Sequence, residues 1–319
     1  MDSHPSPDRN IRSNSLLLPC EKKGNRESKR EEDFQPKEKM SRILFQDIDG
    51  CLNITQSGKP KTIDVKGKSF TTRELAAWKN MHKQCRSSQT ELVIVTGRTI
   101  EQIGPLIKHL GATWVIAEHG AVLYDPKTEN SQTLIEVLSN QSQRKQELKV
   151  LQNTHEQIRK IRQFLVQHQS EIEKQLLQIK EYNGEPLYYP KTRLNCSIIY
   201  PEVIRIAGKQ KAFAEIVQSL IPEIHPSIRI SIGLYGLDFL TSITKKDGIE
   251  ALACELKIDM DKSAYIGDEE GDIAPMSVVN MPCCPANAMP KVKTYVKQKK
   301  GIIAKESYLK GTLEILRKI

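Results

Sequence analysis

The sequence predicts an α/β fold, a mainly parallel sheet doubly wound by helices, with a second α+β module inserted into it. Three observations predict it. Short buried-strand runs alternate with amphipathic helical stretches from Arg42 to Ala117, and again from Gly248 to the end; such alternation implies parallel strands joined by crossover helices. Between these two regions the pattern changes, after Gly120, to a Gln-, Lys- and Glu-rich stretch followed by separate strands. Acidic pairs directly follow two of the strand runs, at the carboxyl edge where open α/β sheets place their ligands.

Each element follows from local pattern. Ile43-Leu44-Phe45 is a short buried strand. Thr71-Thr72-Arg73-Glu74 is a capping-box sequence opening a helix with Leu75, Trp78, Met81 and Cys85 on one face. Residues 91–95 are the next strand, 99–110 a helix whose interior is weakened by Pro105, and 113–117 a third strand. Over residues 141–180, Leu148, Leu151, Ile158, Ile161, Leu165, Ile172, Leu176 and Ile179 recur at helical spacing, as one long helix or two. This face is expected to pack on its own domain, with a partner-binding coiled coil as the alternative. Residues 195–200 and 228–232 read as strands with a helix at 211–220 between them. The α/β pattern then returns, with a helix at 248–256, a strand at 264–266 and a final helix at 308–318. One domain, 40–120 with 236–319, is thus interrupted by another, 121–235.

Residues 1–39 carry nine basic and eight acidic residues, few apolar ones, and Pro5, Pro7, Pro19 and Pro36, which predicts disorder. Met40, followed at once by the first strand pattern, reads as the true start, with the upstream segment a mis-called extension and a regulatory tail as the alternative.

Composition excludes several classes. Of 319 residues, 38% are hydrophobic and 27% charged, too apolar for a disordered chain and too polar for a membrane bundle. The longest apolar runs, such as Leu92-Val93-Ile94-Val95, fall far short of the roughly 20 residues of a spanning helix. Leu16-Leu17-Leu18 is too short for a secretory signal. The net charge of +9 comes without any nucleic-acid-binding motif, so no nucleic acid and no membrane are expected as partners. None of the seven cysteines forms a C-x-x-C pair, and reduced thiols in a cytoplasmic protein are expected. None of the seven histidines makes a short metal-ligand pair.

The chemistry lies in four short motifs. Asp47-Ile48-Asp49-Gly50 follows the first strand, and carboxylates at i and i+2 can face the same side of a strand end. Gly267-Asp268-Glu269-Glu270-Gly271-Asp272 follows the 264–266 strand. So many acids at one sheet edge repel one another unless a hard divalent cation, Mg²⁺ beside phosphate, sits among them. Thr96-Gly97-Arg98 supplies a hydroxyl and backbone N–H groups, and Lys245 an ammonium, for phosphoryl oxygens.

D-x-D-G, T-G-R, K and G-D-x-x-x-D, in this order, resemble the four motifs of the haloacid dehalogenase-like superfamily, over roughly residues 41–319. The resemblance implies a Rossmann-like core and a phospho-aspartate mechanism. On it, Asp47 is the nucleophile and Asp49 the general acid and then base. Thr96, Gly97, Arg98 and Lys245 hold the phosphoryl group. Asp47, the backbone carbonyl of Asp49, Asp268 and Asp272 form or support the Mg²⁺ site. Asp49 then needs neighbours that raise its pKa.

Only 47 residues separate Asp49 from Thr96, whereas 149 separate Thr96 from Lys245. In this superfamily such an insert resembles a type IIB cap, whose owners are mostly phosphatases of sugar phosphates and related small metabolites. Asn195-Cys196-Ser197, Ser231-Ile232-Gly233 and Asp238 are similar to the phosphomannomutase pattern, and Glu118-His119-Gly120-Ala121 to a turn of trehalose-phosphate phosphatases. Lys191, Arg193 and Lys209 read as solvated or as contacts to a substrate anion, and His119 as a structural turn residue. Cys51 stands where the family most often has Thr, and reads as a buried small side chain. The third motif admits Lys245 or Lys246, with the K-x-x-G-I spacing favouring Lys245. Asn287, in Ala286-Asn287-Ala288, touches the site or shapes its turn. The expected function is a Mg²⁺-dependent phosphatase of a small phosphorylated metabolite. The alternatives are a phosphosugar mutase and a non-catalytic binding protein using the 141–180 helix.

Overall fold

β1 (Arg42–Gln46) lies inside an eight-stranded sheet, and its burial follows from the apolar run Ile43-Leu44-Phe45. The computed structural model describes residues 42–56, 59–61, 72–140, 145–178, 196–199, 228–232 and 236–319, with positions 215, 216, 219 and 226. Parallel neighbours flank β1 on both sides, β11 (Ser263–Ile266) and β4 (Thr90–Val95). The parallel set continues through β12 (Met281–Cys284) to β13 (Ile302–Ile303) on one side and to β5 (Trp114–Ala117) on the other. This is the expected doubly wound α/β sheet.

Alternation along each strand feeds a separate core on each face. Leu44, Leu92 and Ile94 pack with Trp78, Met81 and Cys85 of α1 (Thr72–Ser87), and with Ile103 of α2 (Ile100–Leu110). Ile43, Phe45, Val93 and Val95 pack on the opposite face. There they meet Val137 of α3 (Leu134–Ser139) and Leu252 of α6 (Lys245–Leu256), together with Val292 of α8 (Pro290–Gln298). Cys283 and Cys284 split between the two cores in the same way. Each such fully buried large side chain contributes about 1.5–3 kcal/mol.

Both expected domain boundaries need correction. The core sheet continues past residue 120, because β6 (Val122–Asp125) turns back antiparallel on β5 and β7 (Asn130–Thr133) pairs with it. The edge strands are polar outside, so the change in composition precedes the change in sheet. At the other end, β10 (Gly236–Leu240) does not belong to the core sheet. It pairs antiparallel with β8 (Cys196–Ile199) and β9 (Arg229–Ile232) in a three-stranded sheet.

Helix limits shift for local reasons. Thr99 caps α2 from outside through a reciprocal bond with Gln102, and the helix runs through Pro105 to a left-handed Gly111. The 141–180 pattern resolves into α4 (Lys145–Gln167) and α5 (Gln169–Leu176), broken at His168, whose ring stacks on Phe164. Leu151, Ile158, Ile161 and Leu165 of α4 are buried. The helix expected at 248–256 starts at Lys245, because Thr244 and Asp247 form a capping box ahead of it. The tail 1–39, the capping threonine at 71 and most of the 211–220 helix lie outside the described residues, as do Lys191, Arg193, Lys209 and Gly233. Among the described residues, no helix is long and apolar enough to cross a membrane.

Candidate active site

The carboxyl ends of β1, β4 and β11 bring three of the sequence motifs to one edge of the sheet. Asp47 leaves β1 with its N–H bonded to the Ile266 carbonyl (2.9 Å), and Thr96 leaves β4 with its N–H bonded to the Ile116 carbonyl (2.8 Å). The chain after Asp47 then makes a tight loop. Gly50 sits there at φ +75°, and a Cβ on it would overlap the Asp268 carboxylate. Only glycine allows both that backbone and that approach. The loop is clamped from the C-terminal part of the chain. Asn287 donates to the Gly50 carbonyl (2.9 Å) and accepts from the Tyr308 N–H (2.7 Å). Thr312, in α9 (Tyr308–Leu316), donates to the Cys51 carbonyl (3.0 Å).

At the first turn of α6, Lys245 places its Nζ 3.0 Å from Asp47 Oδ1 and 2.7 Å from Asp272 Oδ1. Asp272 is fully buried and fully engaged. Its Oδ1 also accepts from the Tyr265 hydroxyl (2.7 Å), and its Oδ2 accepts from the Asp268 and Glu269 N–H groups (3.0 and 3.1 Å). Opposite Lys245, ligand atoms of Asp47, Cys51 and Asp268 lie within 4.8 Å of one another. The Cys51 thiol donates to Asp268 Oδ1 at 3.6 Å.

The electrostatics are unbalanced in one direction. Burial pushes Asp47 well above the usual carboxylate range, Lys245 opposes this, and the Asp272, Asp268 and Asp49 carboxylates add to it. Burial, then Asp272 and Glu269, push Asp268 up to about 8. Burial would lower Lys245, but the Asp272 and Asp47 charges outweigh it and hold its ammonium well above the ordinary range. Tyr265 is raised by burial and then by Asp272, so it remains a donor. One lysine thus serves two carboxylates, while among the described residues no cation pairs with a third, Asp268. Two carboxylate oxygens converging with that deficit are a donor set suited to a small divalent cation.

Beyond these carboxylates Arg98 grips Asp49 with both prongs of its guanidinium. Nε donates to Oδ2 at 2.8 Å and an Nη to Oδ1 at 2.6 Å. The Arg98 N–H donates to Thr96 Oγ1 (3.1 Å), and its carbonyl accepts from the Glu118 N–H (3.0 Å). Beside it, the His119 ring lies against Gly97, where a Cβ would collide with it.

The sequence profile of the haloacid dehalogenase-like hydrolases matches residues 44–306. The chain belongs to this family. No curated protein matches the sequence. Among solved structures, a Thermoplasma acidophilum protein is similar with a TM-score of 0.53 at 14% identity, covering 88% of this chain and 98% of its own. A haloacid dehalogenase-like hydrolase from Bacteroides thetaiotaomicron gives 0.53 at 13%, covering 87% and 98%. A phosphatase of the same superfamily and organism gives 0.51 at 15%, covering 90% and 98%. At such identities these likenesses show the hydrolase fold.

Against that family's motifs, the structure brings Asp47, Asp268, Asp272 and Lys245 together, with Thr96, Gly97, Arg98 and Asp49 beside them. Three of these residues have partners that their motifs do not specify. Asp272, expected to form or support the metal site, spends both its oxygens on Lys245, Tyr265 and two backbone N–H groups, and so holds the loop and the lysine. Asp49, expected as the general acid and then base, has its carboxylate on a guanidinium. Arg98, expected on the phosphoryl group, is that guanidinium. Of the two lysines, Lys245 reaches the carboxylates, while Lys246 turns to Glu250 on its own helix (3.4 Å). Sequence reading missed Tyr265 and Thr312. Tyr265 is concealed as one apolar-looking position in a buried strand, and Thr312 as a small residue in an amphipathic helix.

Proposed function

We propose that this hydrolase is a Mg²⁺-dependent phosphatase that cleaves a small phosphorylated metabolite, of the sugar-phosphate class, through a phospho-aspartate. The observation that carries the reading is Asp47 at the end of β1, buried and bonded to Lys245, with a second carboxylate from Asp268 converging beside it. A nucleophilic carboxylate attacking a phosphate dianion is opposed mainly by charge, so positive groups around it decide the rate. Asp47, Asp268 and the Asp49 carbonyl would hold Mg²⁺, which supplies positive charge to the phosphoryl oxygens when bound.

The chain's own residues account for the remaining roles. Asp47 Oδ bonds to phosphorus as the ester P–O bond breaks, and the leaving oxygen takes a proton from Asp49. Lys245 offsets charge on Asp47 and the phosphoryl oxygens. The Thr96 hydroxyl and the Gly97 N–H orient the same oxygens, while the Arg98 N–H holds the Thr96 hydroxyl. Asp49, now a carboxylate, removes a proton from a water that attacks the phospho-aspartate, which returns Asp47 and releases inorganic phosphate. Asp272 and Tyr265 keep Lys245 in place.

The test is phosphate release from a panel of phosphosugars and polyol phosphates by the purified chain, with Mg²⁺, with a chelator, and with Asp47→Asn. Release that needs Mg²⁺ and vanishes in the variant supports the reading, and the best substrate narrows the class. No release from folded protein on any substrate overturns it.

A further inference from the structure

The Asp49–Arg98 pair poses a chemical conflict. An acid that must hand a proton to a leaving group has both its oxygens taken by a guanidinium fork. A fork of parallel N–H donors fits a carboxylate and a phosphate equally well, but the same donors cannot serve both. The Arg98 backbone is anchored at both ends, by Thr96 Oγ1 and by the Glu118 N–H. Its side chain is 18% exposed and that of Asp49 33%, so neither is sealed in the core and solvent reaches the pair.

We infer that Arg98 exchanges partners on substrate binding: a phosphoryl dianion takes the guanidinium from Asp49, and Asp49, relieved of it, takes up from solvent the proton that it passes to the leaving oxygen only while a phosphoryl group is held. Phosphate recognition and release of the acid are then one event. Arg98 touches the phosphoryl group and positions Asp49 through its departure. The inference rests on the phosphatase reading above and adds an order of events to it.

Competition for one donor has a signature that a static pair lacks: removing the competitor strengthens the ligand. The experiment is calorimetric titration of inorganic phosphate, in Mg²⁺, into the wild-type chain, Asp49→Ala, Arg98→Ala and the double variant. Exchange predicts that Arg98→Ala weakens phosphate about tenfold or more, and that Asp49→Ala tightens it about tenfold. In the Arg98→Ala background the gain from Asp49→Ala should be at least about threefold smaller, because only the repulsion between carboxylate and phosphate, and no competition for the guanidinium, is then relieved. A gain cannot come from damage to the fold. Asp49→Asn and Arg98→Gln, which keep shape, repeat the cycle should an alanine variant misfold. An equal gain in both backgrounds, or no gain, overturns the exchange while leaving the phosphatase reading intact. Failure of the wild-type chain to bind phosphate at millimolar concentration overturns that reading, and the exchange with it.

Discussion

Lys245 Nζ stands 3.0 Å from Asp47 Oδ1, joining the residue at the end of the first strand to the first turn of a helix near the far end of the chain. The same ammonium lies 2.7 Å from Asp272 Oδ1, so one buried cation is divided between two carboxylates. The site's behaviour follows from that division.

Lys245→Met should be costly to the fold. It leaves Asp47 and Asp272 buried without their cation, which destabilises the fold by about 3–5 kcal/mol. Urea unfolding at pH 7 measures this loss, and it should shrink at acid pH, where the stranded carboxylates take up protons.

Gly50→Ala tests the loop contact. The left-handed backbone costs an alanine about 1–2 kcal/mol, and the overlap of its Cβ with the Asp268 carboxylate must move one loop away from the other. The expected outcome is a lowered Tm, together with loss of the stabilisation that Mg²⁺ gives the wild type. A variant that retains the full Mg²⁺ effect would show that the contact does not shape the site.

The pH dependence follows from Asp268. Its folded-state pKa, raised to about 8 from an unfolded value of 3.8, means that the folded chain keeps a proton that the unfolded chain has lost. Stability of the metal-free protein therefore falls as pH rises from about 4 to about 8, by up to about 1.4 kcal/mol per pH unit, and levels off above. Because a divalent cation displaces that proton, the Tm gained from Mg²⁺ over chelator should grow across the same window. A flat metal-free profile would contradict the assignment.

Cys254 is disulfide-bonded, contrary to the expected reduced thiols, and the free cysteines among the described residues should be silent in the native state. Cys51, Cys85, Cys283 and Cys284 are free and buried. Burial pushes Cys85 and Cys284 up to about 11, Cys283 to about 12, and Cys51 well above the usual range. At pH 8 none of these four is expected to react with a maleimide over minutes, and all should label after denaturation. Mass spectrometry of the labelled peptides checks each site.

Residue type and spacing by themselves determined the fold class and the strand ends at which the motif acids stand. Alternation and helical period are local properties, and Asp47, Thr96 and Asp268 each follow directly on a buried strand. The domain limits were not legible, because β6 and β7 are polar edge strands and β10 resembles any apolar run until its partners are known. The partners of side chains were likewise decided only in three dimensions. That Lys245 rather than Lys246 faces Asp47 depends on the start of a helix set by Thr244 and Asp247. That Asp272 binds the lysine, and Arg98 binds Asp49, depends on loops that neighbouring strand ends bring together. The physical reason is that a side chain's identity sets what it can bind, while burial and the geometry of adjacent strands set which of the available charges it meets.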